Sequence, residues 1–234
     1  MDTNIRINPY IWANIRENMK RLHLSPTLLA VALVLAACGP RESEPWNSVL
    51  KQYAVDDTVR ELLLVRSAEG SNATVRYYAK AASRRWKLVS ETDAFIGKNG
   101  LGKTREGDAK TPEGDFGVLT AFGILPDPGT ALPWLPVTSS IYACDEEGPF
   151  YNRIIDTVAT HHSCKGEDMF HTAPQYNYGM ALDFNAACSY PDGSAIFFHC
   201  KGPKPYTGGC IAVDEPFLRQ ILTTAHPGLR VIIH

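Results

Sequence analysis

Residues 196–213 read I-F-F-H-C-K-G-P-K-P-Y-T-G-G-C-I-A-V, and the fold turns on how this stretch is read. An apolar, strand-like run ends on His199, a Gly/Pro-rich loop follows, and Cys210 heads a second short apolar run. A thiol and an imidazole thus sit at the ends of two buried segments joined by a tight loop, where the two side chains can meet. A thiolate is the strongest ordinary nucleophile, and a neighbouring imidazole both activates it and carries its proton. The plain alternative is a buried Cys packing as a small hydrophobe beside a satisfied His. Thr207-Gly208-Gly209 favours the chemical reading, because glycines ahead of a nucleophile admit a substrate carbonyl and free backbone N–H groups for an oxyanion. Side chains alternate along a strand, so His199 and Cys200 face opposite ways. With His199 turned to the cleft, Cys200 contributes its backbone carbonyl, which can accept the imidazole N–H and fix the tautomer.

Around this centre the 234-residue chain is ordinary globular material, with 44% hydrophobic and 21% charged residues. A formal net charge of −2 gives no reason to expect nucleic acid as a partner. Short apolar runs bounded by turn residues predict strands at 62–65, 74–78, 86–89, 116–122, 153–158, 178–184, 195–199 and 229–233. One clear helix is expected over Glu215–Ala225, with Asp214 as N-cap and Pro227-Gly228 as its stop. Ser48–Val59 reads as a weak helix or further linker. The result is one mostly-β domain with a few short helices over residues 59–234.

The N-terminus carries a different message. Lys20 and Arg21 lead into an apolar stretch from Thr27 to Leu35, the layout of a secretory signal whose apolar part is short for a membrane span. Leu35-Ala36-Ala37-Cys38-Gly39 resembles a bacterial lipobox, which implies cleavage before Cys38 and lipid on its sulfur. Residues 1–37 are then a signal segment, with Met19 the expected start, and residues 38–58 a lipidated Cys and tether. The expected location is outside the cytoplasm, membrane-anchored and facing the periplasm or cell wall. An exported chain can hold disulfides, and Cys144, Cys164, Cys188 and Cys200 allow three pairings.

Other motifs are weaker. Gly97-Lys98-Asn99-Gly100-Leu101-Gly102-Lys103-Thr104 matches a phosphate-binding loop in letters only, because the following Gly107, Pro112, Gly114 and Gly117 forbid the helix that mechanism needs. Residues 97–117 read instead as a solvated loop or as a backbone-shaped cleft wall, with Lys103, Arg105 or Lys110 near an anionic group. His161, His162, His171 and the cysteines lack zinc-ligand spacing, so no metal is expected. No cofactor is expected either, and there is no Gly-x-Ser-x-Gly for a serine hydrolase.

His199, the Gly-Pro-Lys-Pro-Tyr loop and Thr207-Gly208-Gly209-Cys210-Ile211-Ala212-Val213 together resemble the L,D-transpeptidase (YkuD-type) catalytic domain. The glycine-rich 97–116 segment, Tyr151-Asn152 and the approach Gly193–His199 fit the same resemblance, which covers about Val59 to the C-terminus. It implies a YkuD-like β-sandwich acting on peptidoglycan stem peptides through an acyl-enzyme that passes to an amine, as a 3-3 cross-link, or to water. Carried over by position, Cys210 is the nucleophile, His199 the base, Cys200 O its orienting group, and the Gly209 and Cys210 N–H groups the oxyanion donors. Thr207, Gly208, Lys103, Arg105, Tyr151 and Asn152 are the expected substrate contacts. Many members carry a second His two residues before the nucleophile, where this chain has Gly208, so acceptor choice is open. Carboxypeptidase or endopeptidase action, or an inactive wall-binding lipoprotein, are the alternatives. The sequence leaves the oligomeric state open.

Overall fold

The computed structural model describes residues 46–234. The expected signal segment, the lipobox and Cys38 lie outside the described residues. Residues 48–234 make one compact unit, and no helix among the described residues is long and apolar enough to cross a membrane.

A short helix α1 (Asn47–Ala54) precedes strands β1 (Glu61–Ser67), β2 (Asn72–Lys80) and β3 (Trp86–Phe95), an antiparallel meander. Then come β4 (Gly114–Gly123), β5 (Trp134–Pro136), β6 (Ile141–Cys144), β7 (Arg153–Asp156), the one-turn helix α2 (Thr157–Thr160) and β8 (Glu167–Asp168). A 3₁₀ turn at Gln175–Asn177 leads to β9 (Gly179–Leu182), β10 (Phe197–Cys200), β11 (Ile211–Val213), α3 (Glu215–Thr224) and β12 (Arg230–Ile233).

Nine strands form one sheet in the order β12-β1-β2-β3-β11-β10-β9-β4-β5, and β12 also pairs with β4. The sheet therefore closes on itself. The N-terminal half of β4 pairs with β12 and its C-terminal half with β9 and β5, with a register irregularity between Val118 and Thr120. A strand that changes neighbours across a bulge is how a sheet turns the corner of a sandwich. The architecture is mostly β and sandwich-like, as expected. A second sheet, β7-β6-β8, lies within the 137–178 excursion between β5 and β9.

Burial explains why Ile196–Cys200 shows no apolar–polar alternation. Phe198 and Cys200 enter the main core with Leu63, Val75, Ile211, Leu218 and Val231. Phe197 faces a second core with Phe122, Ile141, Met169 and Tyr176. A strand buried on both faces reads as a continuous apolar run. Helix α3 seals the main core with Phe217, Leu218, Ile221 and Leu222, each such burial being worth about 1.5–3 kcal/mol.

Two local expectations need correcting. The strand predicted over 153–158 stops at Asp156, whose side chain accepts from the Val158 and Ala159 amides and so caps α2. His161 ends that helix in the left-handed region, so the adjacent histidines are not strand residues. Asp214 precedes α3 but makes no side-chain cap bond. Its carboxylate is drawn off by the Thr92 hydroxyl and the Lys201 ammonium.

Candidate active site

β10 and β11 run parallel, in the register Phe198↔Ile211, His199↔Ala212 and Cys200↔Val213. A parallel connection must travel back along the strand it leaves, and residues 201–210 do so against the end of β3. Thr207 bridges Gly97 there, with Lys98 N donating to Thr207 O at 3.0 Å and Thr207 N to Ile96 O at 2.9 Å. The return places Cys210 beside Phe197 rather than beside His199. Phe197 N donates to Cys210 Sγ at 3.3 Å, and the thiol donates to Ala195 O at 3.2 Å. Side chains two apart share a sheet face, so Cys210, Ala212, Phe197 and His199 all project to the same side. Cys210 and His199 are diagonal neighbours, and both line a cleft of about 550 Å³.

His199 Nδ1–H donates to Cys200 O at 2.7 Å. That bond fixes the tautomer and leaves Nε2 as the acceptor. Burial is the main influence on the ring, only partly offset by the Cys200 carbonyl, and lowers the imidazole pKa to about 4. Burial also pushes the Cys210 thiol up to about 12, with Glu167 adding to the rise and the Phe197 amide and Lys103 opposing it. Both shifts favour a neutral thiol and a neutral imidazole at rest. The Cys200 side chain points the other way, its thiol donating to Tyr178 O at 3.6 Å.

The turn that carries Cys210 is held by Thr207. Its hydroxyl donates to Cys210 O at 2.7 Å and accepts Gly209 N–H at 3.1 Å. Of the two amides expected to face an oxyanion, Gly209 is thus spent within the turn, which leaves Cys210 N–H as the candidate donor. Gly209 has φ +152° and is buried, and a Cβ there would lie 2.9 Å from Lys110 O. Gly208 is exposed, with nothing within 4 Å of the space a Cβ would take.

The glycine-rich 97–111 loop forms a wall of this cleft through Lys98, Lys103, Glu106, Gly107 and Ala109. Asp108 organises it, accepting from the Thr104, Arg105 and Lys110 amides and pairing with Lys103 Nζ at 3.1 Å. Burial alone would raise the Asp108 carboxyl, but these bonds outweigh it and bring it to about 2. Gly97 is required where the loop passes closest, since a Cβ would sit 2.5 Å from Ala109 O.

Among the expected substrate contacts, Thr207, Gly208 and Lys103 line the cleft, while Arg105, Tyr151 and Asn152 do not. Arg105 is exposed. Tyr151 is buried, donating to Glu106 Oε1 at 2.6 Å and accepting from Gly193 N at 2.9 Å. Asn152 donates to Phe184 O and Asn185 O and accepts from Ala195 N at 3.0 Å. Both residues act behind the wall, holding the Gly193–Ala195 segment whose carbonyl receives the thiol.

Sequence reading missed what the 137–178 excursion brings. Asp145, Glu167, Gln175 and Tyr176 all line the cleft. The Tyr176 ring stands edge-on to His199 at 5.5 Å between centroids, and its hydroxyl donates to Glu167 Oε2 at 2.5 Å. The excursion is pinned by the disulfide Cys144–Cys164, one of the pairings the cysteine count allowed. Cys188 and Cys200 are free.

The molecule is, in class, a mostly-β sandwich with a cysteine and a carbonyl-tethered histidine on one face of a cleft. The sequence profile of YkuD, the L,D-transpeptidase catalytic domain, matches residues 71–233, and the chain belongs to that family. Its function is accordingly of the L,D-transpeptidase type, in peptidoglycan. No curated protein matches the chain.

Proposed function

We propose that this chain is an exported, lipid-anchored cysteine L,D-transpeptidase that forms a Cys210 acyl-enzyme on tetrapeptide stems and passes the acyl group to an amine, giving 3-3 cross-links. The observation that carries the reading is Cys210 on the same sheet face and in the same cleft as His199, whose Nδ1–H is tied to Cys200 O. His199 Nε2 takes the thiol proton as Sγ attacks the carbonyl after the residue at position three. The tetrahedral oxyanion is held by the Cys210 amide. The proton then goes to the departing D-alanine amine, which leaves the thioester. An amine attacks this thioester, gives its proton to His199, and the thiolate recovers it. A site that is neutral at rest separates charge only in the transition state, where a fixed carbonyl beside the imidazolium is most useful.

A hydrolytic reading, with water as acceptor, uses the same residues and is favoured by the open space at Gly208. Incubating the full chain with disaccharide-tetrapeptide and weighing the products separates the two, as cross-linked dimers or as trimmed monomers alone. Cys210→Ala is expected to abolish D-alanine release with its unfolding transition unchanged. Full activity in that variant would overturn the assignment. His199→Gln is expected to slow acylation by roughly 10²–10⁴-fold.

A further inference from the structure

Three carboxylates share the cleft with Cys210: Glu106 from the glycine-rich loop, Asp145 after β6, and Glu167 in β8. They act on one another. Crowding by the surrounding protein raises Asp145, and Glu106 adds to it. Crowding likewise raises Glu167, with Asp145 adding and the Tyr176 hydroxyl opposing. The lysines of the cleft are engaged elsewhere, Lys103 with Asp108 and Lys98 and Lys204 against the Tyr206 ring. Glu106 is engaged by the Tyr151 hydroxyl, whereas Glu167 is exposed to the cleft and receives Tyr176 through Oε2.

A second, independent feature lies next to Tyr176 in the chain. Gln175 Oε1 is buried without a hydrogen-bond partner, and Gln175 lines the same cleft. A buried acceptor left unsatisfied costs about 1–3 kcal/mol, so this atom favours a ligand that brings an N–H. A carboxylate amid other carboxylates favours a cation. An alkylammonium is both, with one positive charge and three donors.

We propose that Glu167, aided by Asp145 and the Gln175 amide oxygen, receives the cationic acceptor amine for attack on the Cys210 acyl-enzyme, and so sets the choice of amine over water. The inference rests on the acyl-transfer reading above. Glu167 takes one proton from the ammonium. The free amine then attacks the thioester carbon, the C–N bond forms, and the C–S bond breaks. His199 passes the second amine proton to the departing thiolate, and Glu167 returns its own to solvent.

The test uses the full chain, disaccharide-tetrapeptide as donor, and two small acceptors: propylamine, cationic at neutral pH, and acetohydrazide, neutral there. In Glu167→Gln the KM for propylamine is expected to rise about tenfold, as for loss of a charge-assisted bond, and the ratio of aminolysed to trimmed product to fall in step. Because Glu167 also bears on Cys210 and Tyr176, the readout is the comparison of the two acceptors: the KM for acetohydrazide is expected to stay within about twofold while that for propylamine rises, and Glu167→Asp to recover part of the loss. An unchanged propylamine KM in Glu167→Gln, or an equal rise for both acceptors, overturns the inference while leaving acyl transfer standing. So does wild-type protein that only trims, at any amine concentration. Wild-type protein that releases no D-alanine overturns the acyl-transfer reading, and this inference with it.

Discussion

Cys210 and His199, the two side chains the sequence pairs, lie on one sheet face and in one cleft, and burial bears on the charge of both. A thiol pushed up to about 12 and an imidazole held near 4 both favour the neutral thiol–imidazole pair over a preformed thiolate–imidazolium pair at neutral pH. The base must be neutral to act, so kcat/KM for D-alanine release is expected to rise with pH through about 4. It should then stay level across neutrality, with no inflection near the ordinary histidine value of 6.5. Steady-state rates between pH 3.5 and 9 check this. A midpoint near 6.5 would show that the imidazole is solvated in the working enzyme. The neighbouring glycines divide in the same residue-level way. Gly208→His meets open space, so its unfolding free energy is expected within about 0.5 kcal/mol of wild type. Gly209→Ala drives a methyl toward Lys110 O in a backbone conformation that side chains avoid. It is expected to cost about 1–3 kcal/mol and most of the activity, both readable by denaturant unfolding and D-alanine release.

Among the elements, the 137–178 excursion carries the largest consequence. It supplies Asp145, Glu167 and Tyr176 to the cleft, and it is built on a three-stranded sheet whose strands are only two to four residues long. Strands so short do not hold themselves, and the Cys144–Cys164 bond closes the segment across a sequence separation of 20. Removing it through Cys164→Ser is expected to destabilise by about 3 kcal/mol. Activity is expected to fall before global unfolding, as Tyr176 loses its place against His199. Parallel denaturant curves followed by fluorescence and by D-alanine release check the order. The glycine-rich loop is the opposite case, an element with no strand or helix of its own. Asp108 gives it shape through four hydrogen bonds. Its mixture of glycine and charge was legible as a wall or a loop, and only the position of Asp108 decided for a wall.

For the whole molecule, burying His199 links the site to global stability. The unfolded histidine takes its proton at about 6.5 and the folded one at about 4. Between those values the unfolded chain binds more protons, so stability falls as pH drops through that window and is complete above it. The loss amounts to about 3 kcal/mol by pH 4. Chemical denaturation at pH 7.5, 5.5 and 4.5 measures it, and His199→Gln is expected to flatten that part of the curve. The Asp108 contribution has the other sign of origin. A carboxyl lowered to about 2 adds stability that disappears only below about pH 4, so the two do not overlap.

The sequence by itself determined the local terms. Apolar runs and turn residues marked most strands of the main sheet, Pro and Gly bounded α3, and the His–loop–Cys stretch marked the two side chains that share the cleft, because each signal is written in consecutive residues. It missed β5, β6 and β8, which are too short to show a period. It placed Tyr151 and Asn152 in the cleft, where a buried hydroxyl and a backbone-clamping amide instead hold the wall from behind. Tertiary structure alone decided that β10 and β11 are parallel. That arrangement sets Cys210 against Phe197 and makes the Gly209 amide part of the turn. It alone closed the sheet through β4 and β12, joined Cys144 to Cys164 while leaving Cys188 and Cys200 free, and brought Glu167 and Tyr176 to a site more than twenty residues away in sequence. The physical reason is common to all four. Pairing register, sheet closure and disulfide choice depend on which segments bury their apolar faces together, and one chain pattern is compatible with several such arrangements until the whole core is packed.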